Sequence, residues 1–143
     1  MIAVDTNLLV YAHRKDSLWH TAARDAIVGL AEGRAAWAIP WPCVHEFLAI
    51  VTHPRIYRPP TPLANALDQI GAWLESPSLV TLAENDSYWA VLANCLSTGR
   101  TAGAHVHDAR IAALCLTHGV RELWTHDRDF GRFPALAVRN PLM

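Results

Sequence analysis

Apolar residues in this chain fall into two alternating kinds of run. Short stretches rich in β-branched and aromatic residues are separated by longer segments in which apolar positions recur at helical spacing. Ile2 to Val4, Trp37 to Ile39, Leu79 to Leu82 and Leu123 to Thr125 are of the first kind and predict strands, with Leu136 to Val138 as a fifth at an edge. Between them lie a short helical turn over Leu8 to His13 and helices over Leu18 to Glu32, Pro42 to Thr52, Thr61 or Pro62 to Glu75, Asp86 to Gly99 and Val106 to His118. Asp16 or Ser17 is the expected cap of the first long helix and Asp86 of a later one, while Gly33 and Gly119 mark helix ends. Trp19, Ala22, Ala23, Ala26, Ile27 and Leu30 share one face, as do Leu63, Leu67, Ile70 and Leu74.

Strands alternating with helices predict an α/β fold, with a mainly parallel sheet of four or five strands covered on both faces. The proline-rich stretch from Pro54 to Pro62 holds Arg55, Tyr57 and Arg58, and reads as a surface loop rather than a linker. Residues 1–143 therefore read as a single domain.

Composition narrows the function classes. Hydrophobic residues at 52% against 17% charged suit a globular chain, long enough to bury roughly 70% of its unfolded surface. Twelve Lys and Arg against thirteen Asp and Glu give no global attraction to nucleic acid, so such a partner needs local patches. Cys43, Cys95 and Cys115 lie far apart in apolar segments without a C-x-x-C pair, and read as buried thiols rather than a disulfide frame or zinc site. With no leader-like segment and no apolar run near ~18 residues, the chain is expected to be soluble and cytoplasmic.

The informative charges are acids in apolar surroundings. Asp5 ends the first strand, Glu46 sits within Pro42-Cys-Val-His-Glu-Phe-Leu48, Asp108 lies in the first turn of an apolar helix, and Asp127 and Asp129 follow the fourth strand. Singly, Asp5 reads as a helix cap and Asp108 as a partner of the helix dipole. Together they sit at strand ends and helix starts, which meet along one edge of a parallel sheet. Two unit charges at ~4 Å cost about 4 kcal/mol at an effective dielectric near 20, so such a gathering calls for a cation. Mg²⁺, or Mn²⁺ in its place, suits carboxylates better than zinc, and phosphoryl transfer to water is the chemistry such a site serves.

Val4-Asp-Thr-Asn7, the Glu of His45-Glu-Phe-Leu48, His107-Asp-Ala-Arg-Ile-Ala-Ala113 and Thr125-His-Asp-Arg-Asp-Phe130 together resemble the motifs of PIN-domain ribonucleases, and more narrowly of the VapC toxins of bacterial toxin-antitoxin pairs. The resemblance implies an α/β/α sandwich, Mg²⁺-dependent cleavage of single-stranded or looped RNA, a VapB-type antitoxin and a homodimer. By motif, Asp5 and Asp108 are the implied metal ligands. Glu46 and Asp127 complete the acidic site as ligands, through metal-bound water, or as the base orienting the attacking water. Thr6 and Asn7 are implied to hold Asp5. Asp127 fits the spacing after Thr125 better than Asp129, and both stay open for the fourth place.

Histidines add little to this. His105-x-His107 has no C-x-x-C or H-E-x-x-H beside it, and His45-Glu46 is not followed by a histidine at the zincin spacing. His107 and His126 read as solvated or core side chains before phosphate contacts. Most of the six tryptophans fall on apolar faces, with Trp41 lying near Glu46. Arg14, Lys15, Arg55, Arg58, Arg128 and Arg132 lie in loops expected to rim the acidic edge and hold RNA phosphates. The rival readings are a catalytically idle PIN-like module that binds RNA or protein, and another metal-dependent phosphoryl-transfer enzyme. The second usually wants a lysine near its last strand, whereas the only lysine here is Lys15.

Overall fold

All five predicted strands form, and each pairs in parallel with its neighbours. The computed structural model describes residues 1–143. In chain order the elements are β1 (Ile2–Val4), α1 (Thr6–His13), α2 (His20–Glu32), β2 (Trp37–Pro40), α3 (Trp41–Val51), α4 (Leu63–Leu74), β3 (Leu79–Leu82), α5 (Tyr88–Thr98), α6 (His105–Thr117), β4 (Glu122–Trp124), a 3₁₀ turn (Arg128–Arg132) and β5 (Ala137–Arg139). The sheet order is β3-β2-β1-β4-β5. In register, Ile2 of β1 lies beside Trp37 of β2 on one side and Glu122 of β4 on the other.

That order fixes the layers. The chain steps from β1 to β2 to β3 in one direction, then crosses back over the sheet to β4. Right-handed crossovers put the helices of the two directions on opposite faces. Accordingly α1 packs on α2 and α3, and α3 on α4, while α5 and α6 form a separate pair. Because both faces are covered, every residue of β2 is buried, whereas all of β5 is exposed at the edge. Trp37, Phe47, Leu8, Leu9, Leu123 and Phe130 are among the fully buried side chains of one continuous core. No helix is long and apolar enough to cross a membrane.

Local chemistry explains most helix ends, with two corrections. Gly119 takes φ +66° just beyond α6, the left-handed position that lets a helix stop and the chain turn into β4. Asp86 does not cap α5: Tyr88 N–H donates to the Asn85 carbonyl at 3.0 Å, and Asn85 Oδ1 accepts from the Ser87 hydroxyl, so Asn85 closes the turn. Neither Asp16 nor Ser17 caps α2, which begins at His20. Asp16 is drawn into an ion pair with Arg14 at 2.6 Å, and Ser17 Oγ accepts from Trp19 N–H before the helix starts.

The largest correction concerns α4, which turns a different stripe inward from the one its leucines suggest. Ala66, Ile70 and Trp73 are buried, and the Trp73 ring meets Phe47 edge-on at 5.1 Å. Leu63, Leu67 and Leu74 stand exposed. A tryptophan packed on a phenylalanine buries more area than a leucine there would, and the helix rotates to obtain it. Trp89 likewise is 71% exposed on α5 instead of joining the core.

Candidate metal centre

β1 and β4 are neighbours in space but belong to opposite directions of winding, so their carboxyl ends border the crevice where the strand order reverses. Asp5 leaves β1 and Thr125 leaves β4 at that crevice. Asp5 begins α1 as its cap, accepting from Thr6 N–H at 2.8 Å, and it is only 5% exposed. One side chain thus caps the helix and stands, buried, at the crevice.

Thr125 is the organising side chain, and its whole hydrogen-bonding capacity is used. Its hydroxyl donates to Asp5 Oδ2 at 2.7 Å and accepts from Asn7 Nδ2 at 3.1 Å and Asp127 N–H at 3.0 Å. Asn7 also reaches Asp5 Oδ2 at 3.4 Å, and its Oδ1 accepts from His126 N–H. Thr6 Oγ1 donates to Glu46 Oε2 at 3.1 Å, tying α1 to α3. Thr6 and Asn7 thus do the supporting work, while Thr125 was visible in the sequence only as part of a motif.

Burial is the main influence on Asp5, pushing its carboxyl from the usual 3.8 up to about 6. Hydrogen bonds from Thr125 and Thr6 oppose the rise, and the nearby charges of Glu46 and Asp127 add to it. Cys43 lies below, its thiol donating to Asp5 Oδ1 at 3.7 Å. Burial holds the Cys43 thiol well above its ordinary range and Cys115 up to about 12, so neither supplies a thiolate.

The remaining acids divide. Asp127 stays with Asp5 and also caps the 3₁₀ turn, accepting from Asp129 N–H at 2.8 Å. Asp108 and Glu46 line one open cavity of about 440 Å³ together with Pro42, Ala104, His107 and Arg110. Asp108 Oδ2 is 3.1 Å from His105 Nδ1, and Asp129 Oδ2 is 3.8 Å from the same nitrogen. Of the two acids open for the fourth place, Asp127 lies beside Asp5 and Asp129 beside His105 and Asp108. The helical spacing of His105 and Asp108 was the signal for that contact in the sequence.

The cation facing this cavity is Arg110, whose Nη2 lies 3.7 Å from Glu84 Oε1. Arg14 and Lys15, expected on the rim, line a different cavity of about 380 Å³ with His13, Pro59 and Pro62, and none of the site acids lines it. Arg14 is occupied there by Asp16, the Pro59 carbonyl and the Tyr57 ring. His126 packs between Tyr11 and Trp19, with ring centroids 5.8 and 5.2 Å away, and Trp41 stacks on His45.

A divalent cation fits this donor set. Asp5 already receives bonds to both oxygens, yet its charged form is still disfavoured by burial and by two neighbouring carboxylates. A hard ion with oxygen ligands removes that penalty.

Comparison with known proteins agrees with the geometry. The PIN domain family model matches residues 2–136. Ribonuclease VapC48 of Mycobacterium tuberculosis is 28% identical over 137 residues, spanning 96% of this chain and 94% of its own length. VapC ribonuclease Mb2897 of Mycobacterium bovis is 32% identical over 142 residues, spanning 99% and 96%. In fold, the solved VapBC-1 structure from nontypeable Haemophilus influenzae superposes with a TM-score of 0.69 over 100% of both chains at 19% identity. A family model that runs from β1 past the 3₁₀ turn, and so takes in every acid of the crevice, places this chain in the PIN-domain family, among the VapC ribonucleases.

Proposed function

We propose that the chain acts as the toxin endoribonuclease of a VapBC-type pair, as one PIN domain over residues 1–143 working in the cytoplasm. It hydrolyses RNA phosphodiester bonds with Mg²⁺, or with Mn²⁺ as a substitute. The observation that carries this reading is the buried Asp5 carboxyl, pushed up to about 6 and flanked by Glu46 and Asp127. The cap of α1 needs one oxygen of Asp5; the gathering of Glu46 and Asp127 around it is what the nuclease reading adds an account of.

Asp5 and Asp108 are the proposed metal ligands, with Glu46 and Asp127 completing the acidic site and Thr6 and Asn7 holding it. A bound divalent ion supplies a lowered pKa for water and neutralises charge on the scissile phosphate. Glu46, steadied by the Thr6 hydroxyl, faces the shared cavity and takes the proton of the attacking water. The new O–P bond forms in line with the breaking bond to the 3′ oxygen, which takes up a proton from solvent water as it leaves. The products are a 5′-phosphate and a 3′-hydroxyl. Arg110 on the cavity wall offers its guanidinium to a non-bridging phosphate oxygen.

Relatives named ribonucleases and a like-folded VapBC-1 assembly support an RNA substrate and a VapB-type antitoxin as partners. Exposed Leu63, Leu67, Leu74 and Trp89 offer apolar surface for that antitoxin and for a homodimer. The test is incubation of purified, antitoxin-free protein with structured RNA and Mg²⁺, beside Asp5→Asn and Asp108→Asn. Each substitution should reduce cleavage about a hundredfold or more, matching the several kcal/mol a metal supplies. Cleavage that survives EDTA or both substitutions overturns the reading.

A further inference from the structure

α3 starts at Trp41, directly after the last residue of β2, so its first turn stands at the carboxyl end of the sheet. Two stripes of this helix run side by side from there. Pro42 and Glu46, one turn apart, line the open cavity of about 440 Å³ that they share with Asp108 and Arg110 of α6. Trp41 and His45, also one turn apart, stack on each other, with ring planes 27° apart and centroids at 6.4 Å. At that separation the pair is offset rather than face to face, so the two rings extend one another sideways.

Packing accounts for only part of Trp41. Trp37 is fully buried and gives its indole N–H to Ser76 Oγ at 3.1 Å, and Trp124 gives its own to Glu122 Oε1 at 2.7 Å. Trp41 is half-buried against the core, and its indole N–H meets no acceptor within the chain. His45 is exposed. The helix start does not call for either ring, because Pro42 with its fixed φ already suits the first turn. What remains is a flat aromatic surface, open to solvent, on the helix that carries Glu46.

We infer that Trp41 and His45 form a stacking platform for an unpaired RNA base, on a nucleotide that flanks the scissile phosphate. The inference rests on the ribonuclease reading and adds a contact with the base, where the acids and Arg110 meet only phosphate and water. Aromatic side chains hold single-stranded RNA by stacking on its bases, each contact giving about a ten- to hundredfold gain in affinity with little regard to which base it is. Because the platform and Glu46 lie on adjacent stripes of one helix, a base stacked on Trp41 brings the phosphate joined to it toward the cavity. A base inside a duplex has both faces covered by its neighbours, so the platform favours looped or single-stranded RNA over paired RNA. A second copy of this chain is the rival occupant of the same surface, and the test separates the two.

The test is a cycle between protein and substrate. The purified full chain cleaves a structured RNA with Mg²⁺, the cut phosphate is located, and the same RNA is remade with an abasic ribose on one side of that phosphate or the other. For wild-type protein one of the two abasic RNAs should raise KM about tenfold or more, with kcat changed less than about threefold. Trp41→Ala should raise KM for the intact RNA by a similar factor and no longer distinguish intact from abasic RNA. Trp41→Phe, which keeps a ring, should retain most of the distinction. Equal losses by Trp41→Ala on intact and abasic RNA overturn the inference, and a changed oligomeric state by light scattering in that variant assigns the surface to a second copy instead. Wild-type protein indifferent to both abasic sugars also overturns it. In each of these cases cleavage by the wild-type chain leaves the ribonuclease reading standing, whereas no cleavage at all removes that reading and the platform with it.

Discussion

Thr125 donates its hydroxyl to Asp5 at 2.7 Å, and that bond bridges the carboxyl ends of β4 and β1. The same oxygen accepts from Asn7 and from the Asp127 backbone, so one methyl-for-hydroxyl exchange disconnects three partners. Thr125→Val keeps the shape and leaves buried polar groups unmade, at about 1–3 kcal/mol. It should lower unfolding free energy at neutral pH by that order and cut RNA cleavage at least about tenfold, with Thr125→Ser close to wild type. Wild-type stability and cleavage in Thr125→Val would contradict the role given to this hydroxyl.

Stability in the absence of metal should fall as pH rises. Asp5 is raised from 3.8 to about 6, so the folded chain holds this proton more tightly than the unfolded chain does. The stabilisation is complete below about pH 4, is lost progressively as pH climbs through about 6, and amounts to about 3 kcal/mol. Urea denaturation of EDTA-treated protein at pH 4 and pH 7 reads this difference. Asp5→Asn should flatten it, and Mg²⁺ at pH 7 should restore much of what is lost, since a cation favours the charged carboxylate. A metal-free protein more stable at pH 7 than at pH 4, by an amount that Asp5→Asn leaves unchanged, would refute the assignment.

The rotation of α4 predicts opposite outcomes for two apolar residues on one helix. Trp73 packs on Phe47, and Trp73→Ala should cost about 3–5 kcal/mol. Leu67 is exposed, and Leu67→Gln should change monomer stability by no more than about 0.5 kcal/mol. Chemical denaturation of both variants at low protein concentration decides the matter; equal losses would mean that the leucine stripe is buried after all.

Much of this molecule was legible in its sequence because the signals were local. Strand runs that stop at an acid or a proline, and helical periods ended by Gly119, gave the alternation from which a parallel sheet follows. Asp5, Glu46 and Asp108 stood out because acids are scarce in apolar segments, and Asp127 because it follows the fourth strand within a recognisable motif. What stayed hidden depends on which segments meet. Nothing in α4 itself says that its tryptophan stripe outranks its leucine stripe, since Phe47 decides it from another helix. Asp127 and Asp129 looked like alternatives, being two residues apart, and only the 3₁₀ turn shows that they face different partners. The rim of arginines failed at Arg14 because Asp16, two residues on, satisfies it locally.

The sheet order also bears on when the protein can become active. The crevice needs Asp5 from the beginning of the chain, Glu46 from its first half, and Thr125 through Asp129 from near its end. Neither winding direction contains all the acids proposed for the site. During synthesis the emerging polypeptide holds its first acid ready for more than a hundred residues without the partners that give it purpose. A stop before β4 should leave Asp5 without the Thr125 hydroxyl and the Asp127 carboxylate that meet it in the folded domain, so the proposed site assembles only after β4 has been made.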